Sequence, residues 1–343
     1  MPVSQPIPMA KIIDALLDEN TRFRASYLNR LSDLEPEDTT LLVDAWPKIS
    51  VRRRQALLED LEEINIADDL QNFEAVARVA LKDAEPGVRI SAINILREYE
   101  LTDLLPTFMN MAEHDPDPNV RAVAASSLGT YVYLGEVENL SPAKLERVEG
   151  CLLRIISSDD TPLVHRKALE ALGYSSRNEV NGLIEKAYAS DDMDWLVTAL
   201  FAMGKSANSH WKPHVLKMLN DTHPMVRAEA ASAAGELEIK ESTQVLIDLL
   251  DDPDLDVRLA AIWALSEIGG TGVRQALENQ LDTTDDNEEA DQIEKALENL
   301  DFTEEMREIS LLEIQEDENE AGESSDDENE TNIEDLITED GQD

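Results

Sequence analysis

A Val-Arg pair returns along this chain at the head of an alanine-rich stretch, and its spacing limits the fold more than any other feature. Val88-Arg89, Val120-Arg121, Val226-Arg227 and Val257-Arg258 each open such a stretch, and Val164-His165 and Trp195-Leu196 open degenerate copies. From Val164 to Trp195, Val226 and Val257 every step is 31 residues, and from Val88 to Val120 it is 32. A unit of that length holds two helices of about ten to thirteen residues and two short turns. One such pair cannot bury its apolar face alone, whereas a stack of pairs can. Hydrophobic residues make up 42% of the chain but aromatics only 4%, so the core must be built from alanine and branched aliphatics, a composition that favours helix over strand.

Two further positions repeat with the pair. A proline precedes the valine by two residues at Pro86, Pro118, Pro162 and Pro224, where a missing N–H costs a helix nothing in its first turn. An aspartate precedes the arginine by six at Asp83, Asp115, Asp221 and Asp252. The glycines that close the alanine-rich stretches, Gly129, Gly173, Gly204 and Gly235, suit a left-handed residue just past a helix end. Apolar runs at 104–111, 148–156, 183–189, 211–219 and 243–250 supply the first helix of each pair.

Asp, then Pro, then Val-Arg at the head of an alanine-rich second helix resembles the HEAT repeat, in particular the short HEAT-like repeats of the phycobilisome-lyase type. The resemblance covers roughly residues 70–300. It implies an all-α, right-handed α-α superhelix whose second helices line the concave face, with the repeated Asp and Arg forming a structural ladder between neighbouring units. By resemblance the rungs are Asp83 and Arg89, Asp115 and Arg121, Asp221 and Arg227, and Asp252 and Arg258. Two units depart, with His165 in place of Arg beside Asp159 and Ser190/Leu196 in place of the pair, so the ladder is expected to weaken there. HEAT-like arrays serve many roles, so the likeness bears on fold far more than on function.

The expected organisation is a helical N-terminal cap over 1–70, the repeat array over 71–302 and a disordered acidic tail over 303–343. In the cap, Ile12, Leu16 and Leu17 mark one helix, Leu41, Leu42 and Trp46 a second stopped by Pro47, and residues 51–61 a third. That third helix opens on Arg52-Arg53-Arg54, a triplet that invites a phosphate-binding reading, although pairing with Glu59, Asp60, Glu62 and Glu63 is favoured. The step from Val120 to Val164 is 44 residues, which places an insertion at 131–146, read as an edge loop or as a third helix. After Arg307 no basic residue remains, and the tail is too polar to offset its ordering entropy.

The chain carries 29 Lys and Arg against 74 Asp and Glu, a formal charge of −45. Nucleic-acid phosphates and anionic membranes are therefore not expected partners. A basic protein or peptide is compatible with the field, which equally serves to keep a long solenoid soluble. The absence of an apolar leader and of any long apolar run points to a cytoplasmic protein. Cys151 lies in an apolar helical run and reads as a core residue. His210 and His214 share a helical spacing but have Pro213 between them and no third ligand nearby in sequence, so neither a metal nor any other cofactor is expected.

Counting the valine as zero, positions 0, +4, +7 and +8 of each second helix form its core stripe, and +2 and +6 point away from it. Those two positions are Arg166/Glu170, Val197/Phe201, Ala228/Ser232 and Leu259/Trp263 in the later units. Val197, Phe201, Leu259 and Trp263, with Glu170 and Glu229 nearby, are accordingly the candidate partner-binding residues, and no catalytic residue is expected. The chain reads as a non-catalytic scaffold that holds a protein or peptide in its concave groove. The alternative is a bilin lyase or chromophore chaperone, which the repeat subtype implies.

Overall fold

The structure is a computed structural model that describes residues 7–68 and 70–302. Every regular element among the described residues is helical, and the expected α-α solenoid architecture of stacked helix pairs is what they form. The acidic tail expected over 303–343 lies outside the described residues. The chain divides after Leu237 into two compact units.

In the first unit α1 (Met9–Leu17) and the short α2 (Ala25–Leu28) precede six stacked pairs: α3 (Pro36–Ala45) with α4 (Val51–Ala67), α5 (Glu74–Ala80) with α6 (Pro86–Arg97), α7 (Leu105–His114) with α8 (Pro118–Glu136), α9 (Pro142–Ile156) with α10 (Pro162–Leu172), α11 (Asn178–Tyr188) with α12 (Met193–Lys205), and α13 (Lys212–Met218) with α14 (Pro224–Glu236). The second helices pack side by side, α4 on α6, α6 on α8, α8 on α10, α10 on α12 and α12 on α14. The second unit contains α15 (Thr243–Asp248), α16 (Leu255–Ile268), α17 (Val273–Thr283) and a helix over 287–302.

The second helices start where the sequence marks them. Pro86, Pro118, Pro162 and Pro224 each occupy the first helical residue, and the side chains of Asp117, Thr161, Asp192 and Asp254 cap four of the helices. Their core stripe is alanine-rich and closed: Val164, Ala168, Ala171 and Leu172 on α10, and Val226, Ala230, Ala233 and Ala234 on α14, are all buried. Small side chains let the second helices come close.

The closing glycines serve that approach and not a helix end. Gly129, Gly204 and Gly235 lie inside helices, and Gly173 at the end of α10 has φ −52°, a right-handed value. A Cβ at Gly129 would meet the Ala171 backbone at 3.2 Å, one at Gly173 the Ala202 backbone at 2.9 Å, and one at Gly204 the Ala233 backbone at 3.1 Å. The left-handed residues that follow the second helices are Glu100, Glu138, Ala207 and Glu238, with Gly269 after α16. The expectation of left-handed caps at these glycines is thus corrected: helix contact, not chain reversal, excludes a side chain there.

The insertion forms neither an edge loop nor a third helix. It lengthens the pair on either side, α8 to 19 residues and α9 to 15, where α6 has 12. The added turns pack on each other, since Gly135 lies so close to Leu145 that a Cβ would be 2.7 Å from its side chain. Tyr131 is buried in the extension and donates to the Leu101 carbonyl at 2.9 Å.

One row of contacts explains why Asp and Arg recur six residues apart. Arg89 Nη1 donates to the carbonyl of its own unit's Asp83 at 2.8 Å, and its Nη2 reaches the carboxylate of the next unit's Asp115 at 2.6 Å. Arg121 likewise holds the Asp115 carbonyl at 2.7 Å and spans forward to Asp160, again at 2.7 Å. In the second unit Arg258 holds the Asp252 carbonyl at 2.9 Å and a glutamate, Glu289, at 2.9 Å. Arg227 holds the Asp221 carbonyl at 2.9 Å. Each aspartate meanwhile accepts a backbone N–H two residues on, as Asp83 does from Glu85 and Asp115 from Asp117. The carboxylate that receives Arg121 is Asp160, not Asp159, which is exposed. In the degenerate unit the Ser190 hydroxyl accepts from the Asp192 N–H at 3.1 Å and so replaces the aspartate in the turn.

The row begins earlier than expected. Arg54 is buried, bonds the Trp46 and Ile49 carbonyls, and pairs with Asp83 at 2.8 Å. Arg53 donates to the carbonyls of Asp18 and Thr21, at 2.7 Å each. No ion pair joins the arginine triplet to Glu59, Asp60, Glu62 or Glu63 among the described residues, which corrects the expected pairing. Helix geometry gives the reason: partners lie three or four residues on, where the triplet finds Gln55, Ala56, Leu57 and Leu58.

Candidate partner-binding face

In the first unit the +2 and +6 positions form the surface of the second helices that faces away from their paired first helices. Ile90, Asn94, Ser126, Arg166, Glu170, Val197, Phe201, Ala228 and Ser232 are all partly exposed there, while Ala122 is buried. Polar residues on this face bond along the stack. Asn94 donates to Glu62 at 2.9 Å, Arg166 pairs with Asp194 at 2.9 Å, and Thr198 donates to Glu170 at 3.3 Å. Glu170 also pairs with Lys167, 2.6 Å away.

The middle of the face, on α10, α12 and α14, combines rings with carboxylates. Val197 and Phe201 stand half-buried on α12. The Lys205 ammonium lies 5.7 Å from the Phe201 ring centroid and 5.9 Å from that of Tyr174, and it pairs with Glu236. Tyr174 in turn meets Tyr133 edge-on at 5.7 Å. Glu229, one residue from Ala228 on α14, has no hydrogen-bond or ion-pair partner among the described residues. Burial pushes its carboxyl up to about 7, the nearby Glu170 charge adds to the rise, and Lys205 and Lys167 pull against it. The face therefore presents rings beside a carboxyl group whose own charge is poorly compensated.

Leu259 and Trp263 are half-buried on α16 in the second unit, where the Trp263 carbonyl accepts from Ser266 at 2.8 Å. The six candidate residues thus fall into two groups. Glu170, Val197, Phe201 and Glu229 come together in the first unit, and Leu259 with Trp263 belongs to the second.

Sequence reasoning missed Tyr133, Tyr174, Lys205 and Glu236. The last three all stand at +10 from the head of their second helix, one turn past the positions considered, so the same count carried further would have found them. Tyr133 is exposed in the lengthened part of α8, within the stretch expected to form an edge loop or a third helix.

Other groups with chemical potential are accounted for by packing. Cys151 is buried, and burial, with Glu113 nearby, pushes its thiol up to about 12, far from a nucleophile's range. His210, Trp211, His214 and Tyr188 form an aromatic cluster, with Tyr188 and His214 at 5.0 Å and His210 and Trp211 at 4.8 Å. Among the described residues no group of three or more His, Cys, Asp or Glu could hold a metal ion. No described helix is long and apolar enough to cross a membrane.

Residues 74–147 and 212–298 match the family model of HEAT repeats. No curated protein matches the chain. Among solved structures, the chain is similar to the Escherichia coli protein YibA, at 21% identity over 83% of this chain and 99% of that one with a TM-score of 0.41. It is similar to the complex of CpcE and CpcF of phycocyanin lyase from Nostoc, at 18% identity over 67% of this chain and 95% of that one with a TM-score of 0.45. It is also similar to yeast importin-beta, at 14% identity over 84% of this chain but only 46% of that one, with a TM-score of 0.46. The two stretches that match the family model, with the helix pairs and Asp–Arg row they contain, are the part of this chain that carries HEAT repeats.

Proposed function

We propose that the chain is a non-catalytic scaffold that holds a protein or peptide partner against its second-helix face, through the patch on α10, α12 and α14. The observation that supports this reading is the grouping of Tyr174, Val197 and Phe201, all partly exposed, beside Glu170 and the poorly compensated Glu229. Aromatic side chains on an accessible face are the usual anchors of a protein interface, and carboxylates around them favour a partner that carries Lys or Arg next to apolar residues. Leu259 and Trp263 offer a second patch of the same kind on α16.

The test is affinity capture with the full chain followed by crosslinking, comparing the wild type with Phe201→Ala/Tyr174→Ala. Loss of two anchors of about 2 kcal/mol each should reduce recovery of the same partner well over tenfold while helix content is unchanged. Crosslinks should fall on α10, α12 and α14. Undiminished capture by a folded double variant would place the interface elsewhere. Loss of helix content would show the rings to be core.

A further inference from the structure

In a chain with a formal charge of −45, one cleft has the opposite sign. It lies at the start of α4, has a volume of about 660 Å³, and is lined on one side by Ser50, Arg52 and Arg53 and on the other by Arg22. Glu19 is the one acid among its lining residues against these three arginines. Arg53 ties the two sides together through its bonds to the Asp18 and Thr21 carbonyls, so the cleft has fixed walls. The Asp18 carboxylate is already engaged by the Thr21 hydroxyl and the Asn20 N–H, which hold it below the usual carboxylate range. Arg22 and Arg52 are exposed, and neither makes an ion pair or hydrogen bond among the described residues. Arg22 also acts at a distance on Asp60, whose carboxyl burial and Glu63 push up and Arg22 pulls down.

The arginines also sit at the wrong end of their helix. Ser50 makes no side-chain cap, and no acid stands in the first turn of α4, a 17-residue helix. Uncapped N–H groups and the helix dipole place positive potential there, so Arg52 and Arg53 raise an electrostatic cost that an anion would remove. Guanidinium forks match tetrahedral oxyanions with paired hydrogen bonds, and a helix start adds backbone donors. A compact, doubly charged ligand gains from all of these at once. The cleft is larger than a bare phosphate fills, so the group that carries it can enter beside it.

We propose that this cleft is a binding site for a phosphoryl group, with Arg22 and Arg52 as its ligands and Arg53 as the residue that shapes it.

Calorimetric titration of the full chain, at ionic strength held constant with potassium chloride, tests the assignment with inorganic phosphate and O-phosphoserine as probes. Saturable binding of at least one probe is expected. Arg22→Gln/Arg52→Gln should lower its affinity at least tenfold without changing the melting curve of the unliganded protein, because both side chains are exposed and unpaired. Arg147→Gln, on the exposed surface of α9, should bind as the wild type does. Tighter binding of phosphoserine would assign the site to a carried phosphoryl group, and equal binding would assign it to the free ion. The proposal is overturned if neither probe binds saturably, or if the double variant binds both as well as the wild type.

Discussion

Glu229 is the side chain whose replacement should most directly reveal a conflict between stability and binding. Its carboxyl titrates at an ordinary 4.5 in the unfolded chain and at about 7 in the fold, because burial disfavours the charged form and Glu170 repels it. The sign follows from proton uptake. Between these two values the folded chain holds more protons than the unfolded chain, so stability falls as pH rises, and the loss is complete above 7. Below 4.5 both states carry the proton and nothing is lost. At about 1.36 kcal/mol per pH unit, the ionised Glu229 costs the first unit about 3 kcal/mol at pH 8.5 and only about 1.4 kcal/mol at pH 5.5. Glu229→Gln keeps the shape and removes the titration. Urea unfolding of both proteins, followed by circular dichroism, should find the variant more stable by a margin that widens by about 2 kcal/mol from pH 5.5 to pH 8.5. Carboxylates that do not interact with Glu229 cancel in the difference. A margin that stays constant with pH, or a less stable variant, would show that Glu229 ionises freely and would remove the electrostatic argument for the face.

Three other outcomes are expected. Gly173→Ala should destabilise the first unit by about 1–3 kcal/mol, since its Cβ would lie 2.9 Å from the Ala202 backbone, whereas Gly182→Ala in α11, which meets nothing within 4 Å, should stabilise by about 0.5–1 kcal/mol; thermal melts of the two separate close contact from helix propensity. Asp115→Ala should cost about 3 kcal/mol or more in urea unfolding, because it leaves the buried Arg89 without its carboxylate. Phycocyanobilin added to the pure protein should give no shifted visible band, and a shifted band would revive the lyase reading.

The stack was legible because each repeat signals itself several times. The proline, the cap and the apolar stripe act within one unit, and the six-residue Asp–Arg spacing is also local, since the arginine first binds its own aspartate's carbonyl. What escaped depends on neighbours. Gly173 looks like a helix terminator until Ala202 is placed against it. Arg54 looks like one of three surface cations until Asp83 arrives from the next unit, 29 residues on. In the 131–146 insertion Asn139, Ser141 and Pro142 mark the turn and the start of α9, but Gly135 looks like a break until Leu145 is placed against it. On the binding face, the apolar members at +2 and +6 followed from helical periodicity and Tyr174 and Lys205 sit at +10 of the same count, but that Lys205 bridges the Tyr174 and Phe201 rings shows only with the helices set side by side.

The distribution of the few basic residues ties these observations together. Arg54, Arg89, Arg121 and Arg258 are drawn into the row of Asp and Glu partners that links successive pairs, where their charge is neutralised inside the stack. Lys167 and Lys205 stand on the second-helix face, but each is already matched by a glutamate, Glu170 and Glu236. Glu229 therefore remains the unmatched charge among these residues, near Glu170 and partly withdrawn from water. A fold selected for stability alone would place an amide or an alanine there. Retaining a carboxylate at a site where it costs stability is what a cationic ligand would require, because a Lys or Arg brought against Glu229 would relieve the repulsion from Glu170 and return the carboxyl to its charged form. Binding by such a partner should then release the proton that Glu229 holds near pH 7, and should weaken from pH 8 to pH 6 in the wild type but not in Glu229→Gln. Equal pH dependence in the two proteins would mean that the partner does not touch Glu229, and that the apolar row alone, from Tyr174 to Phe201, carries recognition.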